Sequence, residues 1–293
     1  MKHLVFIINP KSGVERNKKI QQAIDQYLDA DVFTYTIKYT THAGHGTQLA
    51  HEAAEANAFA VIAVGGDGSV NDIIKGIVGT NTKLGIIPKG SGNGLARTLN
   101  IPVDTIKAIQ TINRCIVTPI DIGSVNGRLF ASNAGVGFDA LVCNSFAKSK
   151  RRGLAVYLWL ITKHIFQFQT ATYTIATPNK KIEEKAFMIA VANGQQLGYG
   201  FKIAPDANWT DGLLDVVIIK PFPFWMAPFL GYKMYRGTIT SSKYITHFRT
   251  KSLTISSDDL DCLQTDGDGH PCENALIFTI HTQNLPTIVG STF

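Results

Sequence analysis

The stretch AVIAVGGDGSVNDIIKGIV, residues 60–78, decides how this chain is read. Its opening residues, 60–64, are wholly apolar, too short a run for a helix, and suited to a strand buried on both faces. Gly65-Gly66-Asp67-Gly68-Ser69 follows, and then Ile73, Ile74, Ile77 and Val78 recur at helical spacing over 70–78. A strand, a glycine-rich bend and a helix in that order present backbone N–H groups at a helix N-terminus, which is what a phosphate loop requires. Glycine lets the chain turn sharply and, lacking Cβ, lets a polyphosphate approach the backbone. Asp67 would repel phosphate by itself, so its expected duty is to act through Mg²⁺ and water or to assist proton transfer. A solvated Asp-Gly turn is the plainer alternative, and the strand–helix context argues against it.

The same pattern extends to either side. Residues 4–8 read as a buried strand ending at Asn9-Pro10-Lys11-Ser12-Gly13, followed by a helix that places Ile20, Ala23, Ile24, Tyr27 and Leu28 on one face. A strand is expected over 33–39, an alanine-rich helix over 47–58 and another strand over 84–87. The last leads into a second glycine-rich bend, Pro88-Lys89-Gly90-Ser91-Gly92-Asn93-Gly94, and a helix over 92–99. Short glycine-bounded strands separated by helices predict a mostly parallel sheet covered on both faces, with ligands beyond the carboxyl ends of its strands. In the second bend Ser91 offers a hydroxyl and Asn93 an amide for phosphates or ribose, while Lys89 or Arg97 supplies charge. Alone it could be a linker; two such bends at one sheet edge make a stronger signal. The first bend lacks the order of a P-loop and of a dinucleotide fingerprint, which argues against both classes.

Beyond Pro119 strands dominate, over 171–176, 186–192, 214–219, 253–256 and 275–281, predicting an antiparallel sandwich with a boundary near residue 120. Residues 154–168 are the exception: apolar at helical spacing and preceded by Lys148, Lys150, Arg151 and Arg152, they read equally as a core helix or one that docks on anionic headgroups. Two acidic turns, Asp206 to Asp211 and Asp266-Gly267-Asp268-Gly269, carry the carboxylates that transfer to an alcohol needs, as proton acceptor and as ligands of a divalent cation.

The formal charge of +6 is carried by scattered lysines and arginines, so no nucleic-acid partner is expected. Four dispersed cysteines suit a reducing compartment, and Cys262, His270 and Cys272 match no standard zinc spacing, which favours free thiols. The first ten residues read as a strand rather than a signal peptide. Asp215, Lys220, Pro221, Pro223 and Pro228 interrupt the apolar run 213–230, so no regular spanning helix is expected there. The expected location is cytoplasmic, peripheral at the inner face of the membrane.

Taken in series, Asn9-Pro10-x-Ser12-Gly13, Gly65 to Asn71, Pro88 to Arg97, Ala204-Pro205-Asp206, Asp211 to Val216 and Asp266-Gly267-Asp268 resemble the diacylglycerol kinase and sphingosine kinase superfamily. The resemblance implies an α/β fold: an NAD kinase-like three-layer nucleotide domain over 1–120, rejoined by the tail 285–293, and a second, β-rich sandwich domain over 121–284 that binds lipid. It implies an ATP-dependent lipid kinase acting on diacylglycerol, a sphingoid base or a related lipid alcohol at the membrane surface, with the tail inside the sandwich. A homodimer also belongs to this expectation. ATP is expected at Asn9, Pro10, Lys11, Ser12, Gly13, Thr41, Gly65, Gly66, Asp67, Gly68, Ser69, Asn71, Gly90, Ser91, Gly92 and Asn93. Asp67 resembles the essential aspartate of the glycine loop. Asp211, with main-chain carbonyls of Asn208 and Leu213, is similar to the family's structural Mg²⁺ site, and Asp266 and Asp268 jointly take the base role. The final glutamate of that last motif is Asp268 here, one methylene shorter, and Ser91 to Gly94 looks more like the sphingosine kinase form of the loop. The rival readings are an NAD kinase-like activity on a soluble substrate and a non-catalytic nucleotide sensor.

Overall fold

Short β-branched runs form the strands Lys2–Ile8 (β1), Phe33–Tyr39 (β2), Ala60–Gly65 (β3) and Lys83–Pro88 (β4). They pair in parallel in the order β2-β1-β3-β4, and the last residues of the chain's final strand join β4 through Thr287 and Leu84. The computed structural model describes residues 1–10, 17–90, 92–149 and 153–290. Asn17–Tyr27 (α1), His45–Glu55 (α2), Asp67–Ile77 (α3), Gly94–Thr98 (α4) and Thr105–Arg114 (α5) complete this unit, which comprises Met1–Ile120 and Gln283–Phe293. Every residue of β3 is buried, as a run without polar alternation requires. The chain leaves β1 toward β2 on one side and continues through β3 and β4 on the other. That reversal makes a switch point at the carboxyl ends of β1 and β3, where α/β sheets bind their ligands.

The helix expected over 70–78 begins three residues earlier, so Asp67, Gly68 and Ser69 form its first turn instead of a loop. The helices expected over 47–58 and 92–99 are His45–Glu55 and Gly94–Thr98. α2 and α3 cross closely because residue 76 is glycine: a Cβ there would lie 2.5 Å from the Thr47 carbonyl oxygen. α5, whose Asp104 side chain caps Lys107 N at 3.0 Å, was not expected from the sequence.

The second unit, Asp121–Thr282, is built from two large sheets and a separate two-stranded one over 196–202. Val117–Val125 (β5), Arg128–Phe130 (β6), Asn133–Gly137 (β7), Phe138–Lys148 (α6), Leu154–Ile165 (α7), Ala171–Ala176 (β8), Lys181–Ala186 (β9), Met188–Ala192 (β10), Gln196–Gly198 (β11) and Phe201–Lys202 (β12) come first. Leu214–Ile219 (β13), Ala227–Arg236 (α8), Ile245–Thr250 (β14), Ser252–Ser256 (β15), Cys262–Thr265 (β16), Asp268–Pro271 (β17) and Ala275–Ile288 (β18) follow. One sheet runs β14-β13-β10-β7-β16-β17; the other joins β9, β8, β15, the start of β18, β5 and β6.

Alternation along the central strands sorts their side chains. Ile189, Val191, Val216 and Ile218 enter the core between the sheets, whereas Met188, Ala190, Val217 and Ile219 meet α6 and α7 on the other face. The single strand expected over 186–192 is two strands in different sheets, with Phe187 at the changeover. The space between the sheets is filled by Phe130, Phe278 and branched aliphatic residues at or near zero exposure. Beside this close-packed centre lies a cavity of about 460 Å³ lined by Leu141, His164, Phe168, Tyr173, Leu260 and Cys262.

Candidate active site

At the carboxyl edge of the parallel sheet the two glycine bends touch. A Cβ on Gly90 would lie 2.6 Å from the Gly66 Cα, and one on Gly66 would lie 3.1 Å from the Gly90 Cα. Lys89 N donates to the Gly65 carbonyl at 2.8 Å, which locks the second bend to the end of β3. None of Gly65, Gly66, Gly68, Gly90, Gly92 or Gly94 has a positive φ. In the described part of these bends glycine therefore serves close approach rather than the sharp turn expected, and left-handed backbone falls to Asn93 at φ 52°. The Asn93 side chain closes on the bend, accepting from Gly90 N and donating to the Gly90 carbonyl, both at 2.8 Å. Its amide shapes the loop rather than pointing outward.

Asp67 ties the bends together a second way. Its carboxylate lies against the start of α4: a Cβ on Gly92 would lie 2.9 Å from its Oδ2 and one on Gly94 3.9 Å from its Oδ1. Burial pushes its carboxyl above the ordinary range, and the nearby backbone amides of Gly94, Asn93 and Leu95 act in the opposite direction. Gly68, by contrast, is open: a Cβ there would meet nothing within 4 Å. Asn9 crosses the switch point, its backbone N–H donating to the Val64 carbonyl at 3.2 Å and its Nδ2 to Ser69 Oγ at 3.3 Å. Thr41 lies at the same edge, beyond Thr40, whose N–H reaches the Ile8 carbonyl; its hydroxyl pairs with His42 and His45. Exposed Pro10 follows β1, and Asn71 sits in the second turn of α3. Lys89 Nζ bonds the Thr105 hydroxyl and Arg97 Nε the Gly92 carbonyl, so both cations brace this region. The expected contributions of Lys11, Ser12, Gly13 and Ser91 lie outside the described residues.

These groups fit a nucleotide's phosphates. Cβ-free backbone on two facing bends, an open Gly68 and the N-terminus of the 11-residue α3 together offer N–H donors to an anion.

In the second unit, Asp266 and Gly267 are the central residues of a two-residue hairpin between β16 and β17, at φ 49° and 89°, with Thr265 paired to Asp268. Two positive φ values in succession are why Asp-Gly occurs there. The Asp266 carboxylate accepts three backbone N–H bonds: Ala131 on Oδ2 at 2.7 Å, and Ser132 and Asn133 on Oδ1 at 2.7 and 3.1 Å. Asp268, two residues on, is exposed.

A buried polar chain that the sequence did not disclose supports this hairpin. Gln264 accepts from Gly267 N at 2.9 Å and donates to Asn133 Oδ1 at 2.7 Å and Asp139 Oδ2 at 3.1 Å. Burial raises the Asp139 carboxyl to about 7, opposed by the Gln264 and Ala140 donors. Asn193 donates to the carbonyls of Asp121 and Ala131, both at 2.8 Å. Only the polarity of Asn133 and Gln264 within apolar strands, and of Asn193 just past the end of one, hinted at such a network.

The second acidic loop gathers carboxylates. Asp211 Oδ1 accepts from Leu213 N at 3.0 Å, Asn208 Oδ1 from Thr210 N at 3.2 Å, and Asp121 Oδ2 from Gly212 N at 2.8 Å. Asp215 accepts from His247 at 2.6 Å and Arg249 at 3.0 Å through Oδ1, while its buried Oδ2 has no protein partner. Burial pushes the Asp211 carboxyl up, and the neighbouring Asp215 and Asp121 charges add to that. Asp211, a hard oxygen donor whose charge burial disfavours, is chemically suited to the Mg²⁺ ion expected at Asn208, Asp211 and Leu213. Among the described residues no group of three or more His, Cys, Asp or Glu side chains converges as a metal site; this candidate relies on one carboxylate and two carbonyls.

Residues 3–125 match the diacylglycerol kinase catalytic domain model, and residues 132–287 match the YegS C-terminal NAD kinase beta sandwich-like domain. Over 274 residues the chain is 30% identical to a diacylglycerol kinase of Bacillus subtilis, covering 92% of this chain and 90% of that one. A solved diacylglycerol kinase structure from Bacillus anthracis superposes with a TM-score of 0.77 at 22% identity, covering 99% of this chain and 97% of that one. An NAD kinase from Archaeoglobus fulgidus in complex with ATP superposes at 0.55 and 11% identity, covering 97% and 93%. These two structural likenesses concern fold alone.

Proposed function

The chain belongs to the diacylglycerol kinase family, and on that premise we propose that it transfers the γ-phosphoryl group of ATP to the free hydroxyl of diacylglycerol. The observation that carries this reading is the back-to-back contact of Gly66 and Gly90 at the switch point, with the Asp67 carboxylate against the start of α4.

In the reaction the bond from the γ-phosphorus to the β–γ bridging oxygen breaks, a bond to the lipid oxygen forms, and the hydroxyl proton leaves. The backbone N–H groups of the two bends bind phosphate oxygens and hold them against α3. Asn9 and Ser69, bonded to each other, line the same edge. Asp67 keeps both bends in register by lying against Gly92 and Gly94 at the start of α4, which makes it an organiser of the phosphate site. Asp268 accepts the hydroxyl proton, because the Asp266 carboxylate is held by three main-chain donors while Asp268 is exposed on the adjoining strand. Asp266 is thus a positioning residue for the hairpin. Mg²⁺ at Asn208, Asp211 and Leu213 would offset the gathered carboxylates of the second unit.

An ATP-dependent phosphorylation assay on diacylglycerol, monoacylglycerol and sphingoid bases, with NAD as soluble competitor, tests the proposal. Diacylglycerol is expected to be phosphorylated fastest, and Asp67→Asn to lower kcat/KM by about 100-fold or more. Turnover of NAD alone, or of no acceptor, would refute it.

A further inference from the structure

The second unit carries an exposed aromatic surface that the kinase reading does not use. On α7 the inward residues Val156, Leu160, Ile161 and Ile165 join the core beside α6. Leu158 and Trp159 face solvent, Trp159 at 60% exposure, and Phe166 just beyond the helix is 66% exposed. The 3-10 turn Phe224–Met226 and α8 repeat the arrangement: Leu230 and Met234 pack inward, while Trp225 at 67%, Phe229 and Tyr232 are exposed. The Phe166 and Phe224 rings lie 5.4 Å apart, as do those of Phe224 and Trp225, so the two elements form one patch.

The two segments that build the patch carry charge of a single sign, and the acidic side chains beside them come from elsewhere in the chain: Asp259 and Asp261 line a cavity with His164 and Phe168, and Glu184 pairs with Lys220 at 3.3 Å. No Asp or Glu occurs between Asp139 and Glu183, or between Asp215 and Asp258, the two segments that contain these helices. Cations sit among the rings: Lys163 Nζ is 5.4 Å from the Trp159 ring and Lys233 Nζ 5.5 Å from the Phe229 ring. A protein interface is typically depleted in lysine at its core, whereas exposed Trp, Phe and Tyr interleaved with lysine match the headgroup boundary of a bilayer. α7 has 12 residues, and no helix among the described residues is long and apolar enough to cross a membrane, so these helices would lie along the interface.

We propose that the face formed by Trp159, Phe166, Phe224, Trp225, Phe229 and Tyr232, with Lys163 and Lys233, docks the protein on an anionic bilayer surface. This rests on the proposed lipid substrate for its purpose, but its physical content stands apart: the rings enter the headgroup layer and the lysines meet lipid phosphates. It adds α8 and the turn before it to the 154–168 segment; Lys150, Arg151 and Arg152 lie outside the described residues.

Co-sedimentation with phosphatidylcholine vesicles, with and without phosphatidylglycerol, tests the docking face. The unmodified protein is expected to bind the vesicles containing phosphatidylglycerol, with a blue shift of Trp159 and Trp225 emission; Trp209, 2% exposed, contributes none. The Trp225→Ala/Phe229→Ala double variant is expected to bind about tenfold more weakly or worse, and Lys163→Glu/Lys233→Glu to lose about tenfold together with the preference for phosphatidylglycerol. Wild-type partitioning by both variants, with unchanged melting, overturns the proposal, as does no binding by the parent protein. So does an equilibrium sedimentation result in which the aromatic variant breaks a dimer while vesicle binding persists. Turnover of a monomeric short-chain diacylglycerol reports on the kinase reading alone. The aromatic variant is expected to retain it, and its loss in the parent protein would sink the kinase reading while vesicle partitioning still decides the docking face.

Discussion

Asp266 and Asp268 are two residues apart, yet they differ in what surrounds them. Three main-chain donors hold Asp266, so its truncation leaves the N–H groups of Ala131, Ser132 and Asn133 without their acceptor. Asp266→Ala is expected to cost roughly 2–4 kcal/mol of stability, read as a lower denaturant midpoint. Asp268 is exposed, so Asp268→Asn should melt like the parent protein and lower kcat by about 100-fold. A normal kcat for Asp268→Asn would remove it from the proton-acceptor role. Sequence disclosed both carboxylates and the turn between them, but not which one the backbone encloses. Its donors come from residues more than 130 positions away, and such pairing has no local signature.

At the scale of elements, the two bends form one object because neither has a Cβ where they meet. Gly90→Ala would set a methyl 2.6 Å from the Gly66 Cα, so the bends must part. Gly68→Ala meets no atom within 4 Å, at a backbone conformation open to alanine. Gly90→Ala is therefore expected to lower both stability and ATP affinity, the latter by about tenfold or more. Gly68→Ala should melt normally and weaken only ATP binding, as measured by calorimetry. Unchanged ATP affinity in both would place the phosphates elsewhere. The strand-then-helix order was legible from hydrophobic period alone, whereas the start of α3 at Asp67 was not. Glycine, serine and aspartate suit a helix N-terminus as well as a loop.

Across the whole molecule, the buried Asp139 links stability to pH. Its carboxyl is raised from 3.8 to about 7, so between those values the folded state holds a proton that the unfolded chain has released. Its contribution is fully present below about 4 and is lost as pH rises through about 7, a decline of at most about 4 kcal/mol. Urea unfolding between pH 5 and 8 should show falling stability, with a smaller fall in Asp139→Asn. Parallel pH profiles for the two proteins would show that this carboxyl does not set the dependence. A partly apolar helix such as α6 gives no warning that its first turn carries a buried acid.

By itself the sequence determined the class of the first unit, the order of its strands and helices, and the edge that carries the glycine bends. Those follow from local period, from β-branching and from the missing Cβ atoms. It also marked the later half as β-rich. Only the tertiary structure decided that residues 186–192 split between two sheets, and that Asp266 is caged while Asp268 is open. Each depends on contacts between distant segments, whose pairing is set by the packing of the whole unit rather than by any residue's neighbours along the chain.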